Sequence, residues 1–265
     1  MIPTPHVIKK TAKSQLKNNI VSAMVVAVVF MLVICFFWML SGFLVTFLLS
    51  GQKSMTPFKI AVSGVYCILT FATLVPLFHG ILRWFWYLGI DKKLPVGEVF
   101  YIFSDLKVYA KSLYFYLLLI GKSVMLFVVS LLPAAALRIL PELLGERLPD
   151  GYGTLIYFAS NLLLVVGIVV AILLSLKYFL APVIFLINEE LAPEDAIVIS
   201  ADMKLSKSSC VGFYMSFLGW AVLSLLGLPL LYTLPYYLMS YVVAVRFAVT
   251  NHRYDMARWG LPPLI

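Results

Sequence analysis

Residues 20–49 read IVSAMVVAVVFMLVICFFWMLSGFLVTFLL, and no charged side chain occurs between Lys17 and Lys53. A membrane-spanning helix needs only about 20 mainly apolar residues, because it satisfies its own backbone hydrogen bonds inside the hydrocarbon. At about 1.5 Å per residue this run outreaches the roughly 30 Å core as one straight helix, so the first span is expected to tilt or protrude, with a bend at Ser41-Gly42. The rest of the chain has the same character. Of 265 residues, 63% are hydrophobic and 12% charged, far from the roughly 45–50% apolar and 25% charged of soluble domains. A soluble core cannot absorb that much apolar surface. The fold class that follows is all-α, a polytopic transmembrane helical bundle.

In a soluble protein a net charge of +8 would suggest nucleic acid. Here the Lys and Arg residues flank apolar runs, where they meet anionic headgroups and set topology, so no nucleic-acid partner is expected. Cys35, Cys67 and Cys210 lie singly in apolar stretches, without the paired spacing of a metal site or a disulfide framework, and read as small buried hydrophobes. No metal site and no cofactor are expected. Lys9, Lys10, Lys13 and Lys17 precede the first apolar run as in a signal peptide. The run is too long for an h-region of about 7–15 residues and has no small-residue cleavage site, so it reads as an uncleaved span.

Six spans are expected within a single integral membrane domain covering 1–265, at about 20–49, 60–84, 113–137, 154–187, 209–226 and 234–250. The second ends in Arg83-Trp84-Phe85-Trp86-Tyr87, a composition suited to a membrane interface. Arg138 to Gly153, with Glu142, Glu146, Arg147 and Asp150, reads as the longest loop on the opposite side. Pro182 is expected to kink the fourth span, because it removes an N–H and its ring clashes with the preceding turn. The final apolar stretch is divided at Gly227, Pro229 and Pro235 into two spans, the alternative being one overlong helix.

With six spans, Lys9, Lys10, Lys13, Lys17, Arg83, Lys92, Lys93, Lys107, Lys111, Lys177, Lys204, Lys207, Arg246, Arg253 and Arg258 fall on the amino-terminal side. Lys53, Lys59, Arg138 and Arg147 fall on the other. By the positive-inside rule both termini are cytoplasmic.

Ser14-Gln15-Leu16-Lys17, Ser104-Asp105-Leu106-Lys107 and Ala201-Asp202-Met203-Lys204 each precede an odd-numbered span, the latter two inside the similar stretches LPVGEVFYIFSDLK and LAPEDAIVISADMK. Three units are suggested, each an amphipathic cytoplasmic helix followed by a helical hairpin. Val99, Ile102, Phe103 and Leu106, like Ala196, Ile199 and Met203, recur at helical spacing. One reading is a cytoplasmic collar in the interface plane that responds to lipid or a partner; the other is amphipathic connectors packed on span ends.

In the carboxy-terminal half, Leu176-Lys177-Tyr178 precedes a kinked span, EDAIVISADMKLSKSSCVGFYMSFLGW follows from Glu194, and Leu234-Pro235-Tyr236 opens the last helix. This order resembles the bacterial membrane family catalogued as domain of unknown function nine-seventy-five. Glu194, Ala196, Ile197, Ser200, Gly219, Trp220, Pro235 and Tyr236 match its pattern, as do Pro76-Leu77-Phe78-His79-Gly80 and the Lys-rich start ahead of Leu16-Lys17. The chain departs from it in lacking the usual Gly after Met203-Lys204 and in its long loop before span four. The resemblance implies a fold and a bacterial plasma membrane; it implies no activity.

Lys122 stands about ten residues, or about 15 Å, into the third span, where a charge costs about 2.5–3.5 kcal/mol on insertion scales. It reads either as a contact for solute, ion or lipid phosphate, or as a snorkelling side chain. His79 reads either as a group titrating near neutral pH or as a hydrogen bond between helices. Arg83, Lys177 and Arg246 lie near the cytoplasmic ends of even-numbered spans, as a basic ring for headgroups or as simple interface anchors. Pro76, Pro182 and Pro235 interrupt those same spans, as in transporters with midplane sites, but every Asp and Glu falls in a connection or tail. No motif for catalysis occurs, and no catalytic residue is expected. The leading expectation is a non-enzymatic multi-pass protein that binds or organises membrane lipid, or a membrane protein partner or second copy. The competing class is a transporter or permease subunit for a small or lipidic solute, using Lys122 and the Pro-broken helices.

Overall fold

A computed structural model describes residues 3–49, 57–144, 152–188, 190–203 and 206–251. Lys53, Glu146, Arg147, Asp150, Glu189, Lys204, Arg253 and Arg258 lie outside the described residues. The described chain is all-helical: α1 (Pro5–Lys17), α2 (Ile20–Leu49), α3 (Pro57–Gly89), a 3-10 segment (Val96–Phe103), α4 (Leu106–Leu144), α5 (Tyr152–Ser175), a 3-10 turn (Leu176–Tyr178), α6 (Ala181–Ile187), α7 (Pro193–Asp202), α8 (Lys207–Ser216), α9 (Leu218–Ser224) and α10 (Leu230–Asn251). Four helical stretches among them are long and apolar enough to cross a membrane: Ile20–Leu48, Pro57–Gly89, Leu106–Leu144 and Tyr152–Ile187. This length and composition point to a membrane, because a helix satisfies its own backbone polar groups within hydrocarbon.

α2 and α3 run antiparallel. Phe30 meets Phe78 at 6.3 Å between ring centroids, Phe47 meets Phe58 at 6.4 Å, and the Tyr66 hydroxyl donates to the Phe37 carbonyl at 2.8 Å. The start of α2 therefore lies beside the end of α3. That shared end is where the molecule is packed. Leu77, Ile81, Leu82, Trp84 and Phe85 of α3, Val183 and Ile184 of α6, and Ala196 and Ile199 of α7 are all 2% exposed or less. α10 lies in the same cluster and is buried from Leu238 to Val245. The remote halves of α2 and α3, and the paired α4 and α5, present Trp38, Phe43, Ile68, Met125 and Phe158 outward.

α1 is docked on this packed end. Its apolar residues Ile8, Ala12 and Leu16 recur every four positions and are 0%, 0% and 2% exposed, the stripe an amphipathic helix buries. Both ends of α10 reach the same end of the α2–α3 pair: Tyr232 shares a groove with Lys17 and Ile20, and the Arg246 guanidinium donates to the Gly89 carbonyl. α10 thus crosses that end instead of running alongside α2 and α3.

Several expectations are corrected. α2 is unbroken through Ser41-Gly42, where the Ser41 hydroxyl donates back to the Trp38 carbonyl at 2.6 Å. The Arg83–Tyr87 cluster is not a lipid-facing belt: Trp84, Phe85 and Trp86 are 2%, 0% and 6% exposed, and the Trp84 indole donates to the Leu94 carbonyl. α4 continues past Arg138 to Leu144, so the first part of the expected loop is helix, carrying Pro141. The connection after α3 forms a 3-10 segment, not an α-helix. Three residues per turn keep Val99 and Ile102 on one face and rotate Phe103 off it; the first two are fully buried, while Phe103 and Leu106 are exposed. The corresponding face of α7 is as expected, with Ala196, Ile199 and Met203 all buried. The last apolar stretch does divide, at Gly227, whose φ of +81° suits glycine and disfavours other residues. Its first part is broken again at Phe217, between α8 and α9.

Gly80 sits where α3 meets the 3-10 segment, and a Cβ there would run into the Val99 carbonyl oxygen. Backbone cannot swing aside as a side-chain end can. Gly80→Ala is therefore expected to destabilise the protein by about 1–3 kcal/mol, read as a lowered thermal midpoint in detergent. Gly64→Ala, with open space around it, should leave the midpoint unchanged or slightly raised.

Candidate functional site

The fourth long helix fails before Pro182 and resumes as α6, and the groups released at that break are taken up by neighbouring side chains. The Ser200 hydroxyl of α7 donates to the Lys177 carbonyl at 2.8 Å and accepts from the Leu180 N–H at 3.2 Å. The Tyr241 hydroxyl of α10 donates to the Phe179 carbonyl at 2.6 Å. A similar splint serves Pro76, which has no N–H for the carbonyl four residues earlier: the Tyr109 hydroxyl donates to the Ala72 carbonyl at 3.0 Å. Where α8 stops, the Lys9 ammonium donates to the Ser216 carbonyl and stands 4.3 Å from the Phe217 ring centroid. Burial holds the Lys9 amine below its ordinary range.

Beside the α5–α6 break lies a partly open cavity of about 550 Å³, within the roughly 300–1,000 Å³ of small-molecule sites. α3, α4, α5, α6, α8 and α10 all contribute to its wall. Phe78, Phe127, Ile172 and Leu238 make it apolar, and its polar groups are hydroxyls such as those of Ser123, Ser175 and Tyr214. Among the described residues, no Asp, Glu, Lys, Arg or His lines it. Such a lining solvates a hydrocarbon chain and offers nothing to balance a buried ion.

A second cavity, of about 40 Å³, has room for a water molecule. His79, Arg83, Tyr101, Lys111 and Ser112 line it. His79 is buried, with Nδ1 3.4 Å from the Tyr116 hydroxyl of α4 and its ring 5.3 Å from that of Phe185. Phe185 in turn stacks on Phe115 at 4.3 Å and 4°. The histidine is thus a hydrogen bond between helices inside an aromatic cluster.

The basic residues singled out in the sequence do not converge on one site. Arg83 pairs with Glu98 at 3.4 Å and lies over the Tyr101 ring at 3.8 Å. Arg246 and Gln15 both donate to the Gly89 carbonyl, closing the carboxy-terminal end of α3, where a cation also meets the negative end of the helix dipole. Lys177 is exposed, with its ammonium 4.9 Å from the Tyr178 ring centroid. Lys122 is partly exposed and lines neither cavity, although its neighbour Ser123 faces the larger one.

The charge of Lys122 is felt by a carboxylate on a connector. Glu194, in the first turn of α7, accepts a 2.5 Å hydrogen bond from the Tyr114 hydroxyl of α4. That bond holds the carboxyl below its ordinary range, helped by its own backbone N–H and by the Lys122 charge. Tyr109, Tyr114, Tyr116 and Tyr241 were missed in the sequence, where tyrosines near span ends pass for interface anchors. The only available signal was the coincidence of Pro-broken helices with tyrosines on other helices.

No family model matches the chain, and neither a curated protein nor a solved structure matches it.

Ser200→Ala removes the partner of both Lys177 O and Leu180 N, and a buried unpaired backbone group costs about 1–3 kcal/mol. The variant is expected to lose stability on that scale, measured by denaturation in micelles. Tyr241→Phe should cost a similar amount, and the double variant less than the sum, because both act on one break.

Proposed function

We propose that this chain is a non-enzymatic multi-pass membrane protein that binds or organises membrane lipid, with an acyl chain in the cavity beside the α5–α6 break. The observation that carries the reading is the lining of that cavity: hydrocarbon and aromatic surface, a few hydroxyls and, among the described residues, no Asp, Glu, Lys, Arg or His. Hydroxyls can hold an ester or glycerol oxygen, while the apolar wall takes the chain. The outward apolar faces of α2, α4 and α5 suit bulk lipid, a membrane protein partner or a second copy.

The transporter reading finds less support. Broken-helix sites bind solutes through backbone groups left free at the break. Here Ser200 and Tyr241 already occupy Lys177 O, Leu180 N and Phe179 O. Lys122 is not among the residues of the cavity wall.

The proposal places the protein in a bacterial plasma membrane with both termini cytoplasmic, since any even number of spans leaves the termini on the Lys- and Arg-rich side. Six spans in three hairpins require α8–α9 and α10 each to cross, with the Gly227–Pro229 turn outside. The shared groove of Tyr232 with Lys17 and Ile20 favours four spans, with α8–α10 returning to the cytoplasmic side.

Two measurements test this. Met215→Trp narrows the cavity from an exposed position and is expected to weaken phospholipid retention in native mass spectrometry by about tenfold, or about 1.4 kcal/mol. Met125→Trp, on the outer face of α4, should not change it; equal retention in both variants would overturn the cavity assignment. For topology, Leu228→Cys in a background lacking the three native cysteines should react with an impermeant maleimide only in inverted vesicles. Labelling in right-side-out vesicles would establish six spans.

A further inference from the structure

The packed end carries a second recess, a groove of about 500 Å³ where α1 meets the starts of α2 and α10. Lys10, Lys13 and Lys17 line it together with Ser14, Ile20 and Tyr232. Positions 10, 13, 14 and 17 are three and four apart, so they share one face of α1. The opposite face is committed. Ile8, Ala12 and Leu16 are buried, Lys9 is bonded to the Ser216 carbonyl, and the Gln15 amide donates to Gly89 at 3.1 Å. The helix is thus held still while its three remaining lysines stand exposed around the groove.

Among the described residues those lysines lack counter-charge. α1 has no acidic residue, and among the described residues no carboxylate lines the groove or lies within ion-pairing distance of the three ammoniums. Three like charges gathered on one face repel each other, and an anion between them removes that repulsion. Lys17 is also the last charge before the uncharged run that begins α2 at Ile20. The groove therefore stands at the level where hydrocarbon gives way to headgroups. Its composition changes across that level: lysines and a serine hydroxyl on one side, Ile20 and the Tyr232 ring on the other.

We propose that this groove is a binding site for the phosphate-bearing headgroup of an anionic phospholipid, with the lysines on the phosphate and Ile20 and Tyr232 against the glycerol and upper acyl chain. The site rests on the lipid-binding reading above and adds to it a headgroup class. Because α1 is fixed by its other face, the lysines are arranged before the lipid arrives, which lowers the ordering entropy of binding. Inorganic phosphate carries the same chemistry without the chain.

The test is native mass spectrometry of the full chain titrated separately with phosphatidylglycerol, phosphatidylcholine and inorganic phosphate. Phosphatidylglycerol is expected to saturate at a lipid that phosphatidylcholine does not replace and that millimolar phosphate does not displace. The triple variant Lys10→Gln, Lys13→Gln, Lys17→Gln should lose this preference, at about fivefold per lysine. A control with the same loss of charge, Lys92→Gln, Lys93→Gln, Lys107→Gln, should keep it. If the control loses as much, binding is bulk charge attraction and the site is overturned; displacement by phosphate overturns it in favour of a free-phosphate site. Equal uptake of both lipids sinks the headgroup site and leaves the cavity reading standing. Failure to retain either lipid sinks both.

Discussion

The structure depends on one constraint: a backbone carbonyl or N–H released inside a nonaqueous bundle must find another partner. Several interruptions of the helices here have one. Ser200 and Tyr241 serve the break ahead of α6, Tyr109 serves Pro76, Lys9 serves the end of α8, and Arg246 with Gln15 serves the end of α3. Each group left unpaired in hydrocarbon would cost several kcal/mol. These contacts therefore tie the connectors and α10 to the long helices. α7 is fixed by Ser200 as much as by its apolar face, and α10 by Tyr241 and Arg246 at two separate points.

That arrangement divides the molecule physically. At the packed end, aromatic rings interlock: Phe115 stacks on Phe185, His79 lies against Phe185, and Phe179, Phe213 and Tyr241 meet edge to face. Away from it the helices expose leucine, valine and phenylalanine, a surface suited to lipid tails. The large cavity lies next to the break, and Tyr241, one of the two side chains that splint it, is part of the wall. Because the released polar groups are already taken, what remains for an occupant is apolar wall and hydroxyls. The break thus shapes the cavity without lending it charge.

Electrostatics follows the same division. Arg83 and Arg246, which flank apolar runs like interface anchors, turn inward onto Glu98 and the end of α3. Lys10, Lys13 and Lys17 of α1 stay outside, because the face that could bury them is occupied by Ile8, Ala12 and Leu16. Glu194 is brought to α4 by its hydrogen bond with Tyr114, and the charge of Lys122, placed deep by counting residues, helps to hold its carboxyl below the ordinary range.

Composition and run length alone determined that this is a helical chain with stretches able to cross a membrane, since burial of so much apolar surface leaves no other solution. Local chemistry also settled the break near Pro182, the turn at Gly227, and the apolar stripe of α7. Tertiary structure decided the rest. Whether Trp84-Phe85-Trp86 faces lipid or protein, which carbonyl Arg246 meets, and whether α10 spans or crosses an end depend on which helix lies next to which. The local apolar pattern does not reveal that, because one apolar stripe looks much like another until the side chains of two helices are interdigitated. What selects the neighbour is the match between a released backbone group on one helix and a hydroxyl, amide or guanidinium on another. Those partners lie far apart in sequence, as Arg246 and Gly89 do, and only the fold brings them together.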